Sequence, residues 1–122
     1  MKAGLLWLLL LSSAVSASPI ERLTLAASPA SSFAPANLMV RVHVTPDTAN
    51  RALEVVVESS DYLRSSQIPL EGEDAPRNVT LEFRGLPHGE YVVRGALIDS
   101  SGRQRATVGQ RILVLASGAG EP

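Results

Sequence analysis

The residues able to do chemistry are few, and most stand apart. The sequence has no cysteine and two histidines, His43 and His88. A thiolate nucleophile and a disulfide framework are therefore both excluded. No Gly-x-Ser-x-Gly elbow is present to raise a serine nucleophile. His43 falls on the outward side of an alternating segment and His88 in a turn, so both read as solvated side chains. Met39 and His43 share a face but stand four residues apart, roughly 13 Å along a strand, too far to hold one ion. Glu71, Glu73 and Asp74 form an acidic loop that could offer oxygens to calcium, but their spacing fits no calcium loop. A solvated loop is the favoured reading. Asn78-Val79-Thr80 matches a glycosylation sequon and reads more simply as part of a strand. Glycoside hydrolysis needs two carboxylates across a cleft, and no such pair is indicated. No catalytic, cofactor-binding or metal-binding residue is assigned. Tyr62 with Arg64, on an edge segment, is the one pair that reads as a surface contact.

The elements that would position these residues are strands. Leu38, Val40, Val42 and Val44 alternate with Met39, Arg41, His43 and Thr45. Leu53, Val55 and Val57 alternate with Glu54, Val56 and Glu58, and Val79, Leu81 and Phe83 with Thr80, Glu82 and Arg84. Period-2 patterning with β-branched residues predicts strands of a half-buried sheet. Leu23 and Leu25 begin a short strand. The stretch between Pro29 and Pro35 is expected to be an irregular edge, with Phe33 tucked under the core. Pro69 marks Tyr62–Leu70 as an edge strand, and Gly109 is the expected bulge in Gln104–Leu115.

The chain is organised around Leu86-Pro87-His88-Gly89-Glu90-Tyr91 and the strand that follows. Pro87 fixes its own φ and Gly89 can adopt a positive one, so the chain turns sharply there. Tyr91, Val93 and Leu97 then share one face. Asp99-Ser100-Ser101-Gly102 is a hairpin signal. About seven short strands with turn signals every eight to twelve residues predict an all-β, antiparallel sandwich. A tyrosine just after a Leu-Pro-x-Gly turn resembles the tyrosine corner of immunoglobulin-like and fibronectin type III domains. The resemblance covers most of Pro29 to Leu115. It implies an immunoglobulin-like sandwich in which Leu86, Pro87, Gly89 and Tyr91 are structural residues. The absence of both cysteines and of a strand tryptophan points to cysteine-free bacterial members. The same motif also resembles the end of transthyretin-like, carboxypeptidase-regulatory repeats, which are similar sandwiches.

The 122 residues carry a formal net charge of −1 and 45% hydrophobic residues. That length is a prior for one domain, with enough apolar content for a core. There is no basic excess to suggest nucleic acid or an anionic membrane. Lys2, the apolar run Leu5–Leu11 and the small residues Val15-Ser16-Ala17 predict a signal peptide over residues 1–17, cleaved after Ala17. Residues 18–116 would be the domain and 117–122 a fraying tail. The apolar run is too short to span a membrane. Cleavage leaves ten basic against twelve acidic residues. The function expected from these features is an exported, periplasmic or extracellular, non-catalytic module for protein binding or envelope structure, its partner unknown. An accessory subunit of an envelope complex comes next, then a carbohydrate-binding module or a small secreted enzyme.

Overall fold

The computed structural model of the chain describes residues 22–117. The expected signal peptide, its cleavage site and nearly all of the tail lie outside those residues. Eight strands follow in order: β1 (Leu23–Ser28), β2 (Ser31–Phe33), β3 (Ala36–Val44), β4 (Ala52–Glu58), β5 (Leu63–Pro69), β6 (Asn78–Leu86), β7 (Gly89–Ile98) and β8 (Gln104–Leu115). Among the described residues a 3-10 turn spans Gly72–Asp74. The strands form two sheets, ordered β1-β3-β6 and β2-β8-β7-β4-β5. Strand pairs are antiparallel except β2 with β8, which run parallel. The described protein is all-β.

The alternation in the sequence decides which side of each strand is buried. Ala36, Leu38, Val40, Val42 and Val44 of β3 point inward, and the residues between them do not. On β4, Leu53, Val55 and Val57 are fully buried. On β7, Tyr91, Val93 and Leu97 complete the facing layer. A one-residue slip would turn these sets to solvent, so burial of the inner face fixes the register. Gly95, also on β7, lets β1 lie close. A Cβ there would stand 3.2 Å from Leu25 Cδ1 and 3.5 Å from Val108 Cγ2.

β1 is hydrogen-bonded to β3, yet its other side faces β8. There the Gln110 side chain takes the place of a strand. Its Nε2 donates to the Ala27 carbonyl at 2.8 Å, and its Oε1 accepts from the Ala27 N–H at 2.9 Å. One amide thus satisfies both backbone groups of a residue that is 5% exposed.

Two expectations from the sequence are corrected. Phe33 is not under the core; it is 63% exposed. The reason is its register: β2 runs beside β8 with Phe33 opposite Leu115 and Ser31 opposite Leu113, all on the outer face. Gly109 is not a bulge. It pairs with Arg94 in unbroken register, and the irregularity falls where Leu97 and Ile98 face Ala106 and Gln104. Arg105 is the extra residue there. Bulges re-aim side chains, and this one directs the Arg105 guanidinium to Asn50 and Asp47.

Candidate functional site

The two ends of the two-sheet structure differ in chemistry. At one end, Leu86 is fully buried and Pro87 is exposed. Gly89 takes a φ of +155°. A side chain at Gly89 would stand 3.6 Å from Tyr91 Cε1. Tyr91 follows on the inner face of β7 at 1% exposure, and its hydroxyl donates to the Pro87 carbonyl at 2.5 Å. Burial, partly offset by the Ser59 side chain, pushes the Tyr91 phenol above its ordinary range. Tyr62 meets Tyr91 edge-on, ring centroids 5.5 Å apart at 76°. Arg64 lies 5.7 Å over the Tyr62 ring, a cation–π arrangement. The Tyr62 hydroxyl is buried and has no hydrogen-bond partner among the described residues. Tyr62 therefore offers no hydroxyl to a partner from solution, and Arg64 is the outward member of the pair.

At the opposite end the β3–β4, β5–β6 and β7–β8 connections meet. Asn50 is fully buried there, a polar residue among apolar ones. Its amide donates to the Thr45 carbonyl at 3.2 Å and accepts from Arg105 at 2.9 Å. Asp47 accepts from the Ala49 N–H at 2.8 Å and faces Arg105 at 3.4 Å. The Ala49 hydrogen bond, with the Arg105 charge, holds the Asp47 carboxyl below the usual range against partial burial. Asp99 is lowered in the same way, by Ser101 first and then by the Arg103 N–H. Arg51 donates to the Thr48 and Asn50 carbonyls at 2.6 and 2.8 Å. With Glu71, Gly72, Glu73 and Asp74 it lines an open depression of about 420 Å³. Among the described residues, no three His, Cys, Asp or Glu side chains come together as a metal-holding group, the acidic loop included.

The histidines are kept apart. His43 lies on the outer face of β3, its Nδ1 3.0 Å from Asn78 Oδ1. His88 is exposed in the β6–β7 turn, beyond Leu86, which pairs with Ala36 at the other end of β3. Seven strand positions separate Ala36 from His43, roughly 23 Å.

A depression of about 480 Å³ opens on the outer face of the five-stranded sheet. Glu90, Val92, Arg111 and Leu113 surround it, Ala30 of the β2 approach closes one side, and Tyr91 and Ile112 lie beneath. Val92 stands opposite Arg111 and Glu90 opposite Leu113 across β7 and β8, so apolar and charged side chains alternate around the opening. Arg94, further along, is ion-paired to Glu58 at 2.6 Å. Arg111 and Glu90 have no ion pair or side-chain hydrogen bond among the described residues. Arg111 carries no signal of its own in the sequence, because ten arginines interleaved with carboxylates look alike until strand register separates the paired from the unpaired. Gln110 and Asn50 left no sequence signal either, since both sit in ordinary polar surroundings along the chain.

No family model matches the sequence, and no curated protein matches it. Solved structures do resemble the fold. A superoxide reductase (neelaredoxin) from Ignicoccus hospitalis superposes with a TM-score of 0.61 at 17% identity, covering 77% of this chain and 80% of that one. A variant of the same protein gives 0.60 at 17% identity over 75% and 78%. The sensor domain of the anti-sigma factor RsgI4 from Pseudobacteroides cellulosolvens gives 0.52 at 16% identity, covering 81% of this chain and all of that one. These likenesses are of fold. They correct the functional expectation drawn from the sequence, a non-catalytic module for binding or envelope structure. Its ground was that no nucleophile, metal-ligand or paired-carboxylate constellation is evident in the sequence, whereas the fold is shared with proteins named superoxide reductase.

Proposed function

We propose that the chain is an exported domain that receives a small amphipathic molecule, as ligand or as substrate, in the depression between β7, β8 and Ala30. The observation that carries this reading is the Arg111 guanidinium, unpaired among the described residues, at the rim of this depression, beside the apolar walls of Val92 and Leu113. An apolar hollow with a few convergent polar groups is the usual form of a small-molecule site. A planar guanidinium takes a carboxylate or phosphate in bidentate fashion. Glu90 would accept from an amine or hydroxyl on the same molecule. The ligand class is therefore a small organic acid that also carries a donor. The sensor-domain neighbour is a precedent for recognition on this fold. The strand order, the parallel β2–β8 pair and the Tyr91–Pro87 hydrogen bond support an immunoglobulin-like sandwich with a tyrosine corner. In the same reading residues 1–17 direct export and residues 18–116 are one domain. Among the described residues no helix is long and apolar enough to cross a membrane.

The test is a titration of isotope-labelled protein with small carboxylates and amino acids at millimolar concentration, followed by amide chemical shifts. Shifts at Val92, Arg111 and Leu113 that vanish in Arg111→Gln are expected. Shifts mapping to another face, or none across the series, would overturn the reading. Recovering the ligand unchanged separates recognition from turnover.

Redox catalysis is the second reading, favoured by the superoxide reductase neighbours. Reduction of superoxide to peroxide takes one electron and two protons, and a protein-bound metal centre for it would be built from imidazole, thiolate or carboxylate donors. This chain has no thiolate, and its two imidazoles stand at opposite ends of the small sheet. The donor set does not fit such a centre.

A further inference from the structure

The free side of β5 is an open backbone edge, and its pattern suits a second copy of itself. Across β4 and β5 the Ser59 N–H donates to the Tyr62 carbonyl and the Leu70 N–H to the Arg51 carbonyl. With the register Val57↔Arg64, Val55↔Ser66 and Leu53↔Ile68, those even-numbered β5 residues aim their backbone groups at β4. Leu63, Ser65 and Gln67 aim theirs away, toward the side where the sheet ends. Seven residues of edge are presented, and six of them are not proline.

The other edges are guarded. β2 is three residues long and lies between Pro29 and Pro35. The outer side of β1 is clasped at Ala27 by Gln110. β6 carries the Glu82–Arg84 ion pair, and Gly85 turns its backbone at a φ of +70°. Charges, prolines and irregular backbone are the devices that keep sheet edges from pairing. β5 has one charge, Arg64, and its proline, Pro69, stands last.

We infer that two copies of this chain associate by antiparallel pairing of β5 with β5 about a two-fold axis at Ser65. In that register Ser65 faces Ser65, and Leu63 faces Gln67 of the partner subunit, so each outward residue meets another outward residue. Arg64 faces Ser66 of the partner subunit, and no like charges stand opposite. Leu63, 67% exposed in the single chain, gains cover from the glutamine stem. A closed isologous contact uses up both edges and forms no fibre. The single charge gives little by which to select a foreign strand, whereas the strand's own sequence satisfies the symmetry. Edge pairing alone buries little surface, which places the dimer at the weak end of protein association. β4 separates β5 from β7, so the depression beside Arg111 stays open, and the inference stands independently of the ligand site.

Sedimentation of the purified chain over a wide concentration range tests it, with amide hydrogen exchange at each concentration. The wild type should associate as concentration rises, with slowed exchange at Leu63, Ser65 and Gln67. Ser65→Pro removes only an outward N–H, which an edge strand tolerates, and Ser65→Lys sets two ammonium groups against each other across the axis. Both variants should keep the wild-type circular dichroism spectrum and remain monomeric throughout. A wild type that stays monomeric at millimolar concentration would overturn the inference. So would association that persists in Ser65→Lys, or protection that grows at β2 or β6 instead.

Discussion

Replacing Gln110 by alanine should cost about 2–3 kcal/mol. The figure follows from the two bonds that clasp Ala27. Each intramolecular hydrogen bond contributes a net of roughly 0.5–1.5 kcal/mol, and a buried group left without a partner loses about 1–3 kcal/mol. Ala27 is 5% exposed, so neither its N–H nor its carbonyl recovers full hydration when the amide is removed. Gln110 is itself half-buried, which limits the apolar area lost with it. For a domain of this size each kcal/mol moves Tm by about 4–8 °C, so a fall on the order of 10 °C or more is expected. Urea denaturation gives the free energy, and exchange at the Ala27 amide locates it. Gln110→Glu sharpens the test. Its carboxylate can still accept from the Ala27 N–H but faces the Ala27 carbonyl with an anionic oxygen. Protonation would restore a donor, so the carboxyl pKa of that variant should lie above its unfolded value. The deficit should then shrink as pH falls through that raised value. A loss under about 0.5 kcal/mol in Gln110→Ala, with unchanged exchange at Ala27, would show that the clasp contributes nothing and that β1 is held by β3 alone.

The two tyrosines at the other end should respond oppositely. Tyr91→Phe removes the hydrogen bond to Pro87 and should cost about 1 kcal/mol, the low end for a lost bond because Pro87 is exposed to water; Tyr62→Phe removes a buried hydroxyl without a partner and should be neutral or stabilising in the same urea melts. Gly95→Val should destabilise by roughly 1–3 kcal/mol through overpacking against Leu25 and Val108, whereas Gly102→Ala should register only its backbone strain, since no atom stands within 4 Å of a Cβ there. The Asp47 and Asp99 carboxyls have folded pKa values below their unfolded ones. Their contribution is therefore complete above about pH 4 and is lost as pH falls through the lowered values. Asp47→Asn and Asp99→Asn should flatten the acid limb of a stability–pH curve and leave its slope near neutrality alone.

What could be read in advance was whatever depends on period. β3, β4 and β7 alternate so regularly that the sheet surface, and with it the inner residues Val42, Val55 and Val93, follows from spacing. What could not be read depends on register between strands distant in sequence. Whether Phe33 points in or out is decided by one position of offset against β8. Whether Arg111 is paired depends on which residue of β7 lies opposite, and nothing near Arg111 in the chain carries that information. Gly109 invited a bulge because glycine weakens a strand. The extra residue fell at Arg105 instead, where a long side chain could reach Asn50 and Asp47. Asn50 shows the same limit: a loop asparagine resembles a turn residue, and only the fold reveals that it is buried.

The parallel pairing of β2 with β8 has a mechanical consequence. β2 lies in the first part of the chain and β8 in the last, side by side and pointing the same way. Tension applied to the two ends of the chain pulls β2 backward along its axis and β8 forward along its own. The bonds from Leu113 N–H to Ala30 and from Ala34 N–H to the Leu115 carbonyl are then loaded in shear and must yield together, rather than peeling one after another. On the N-terminal side β1, paired to β3 over six residues, takes the load first; once β1 has come away, the load falls on the three residues of β2. After β1 has detached, this short seam is the last tie between the N-terminal segment and β8, and resistance along the chain axis then rests on the smallest strand of the fold.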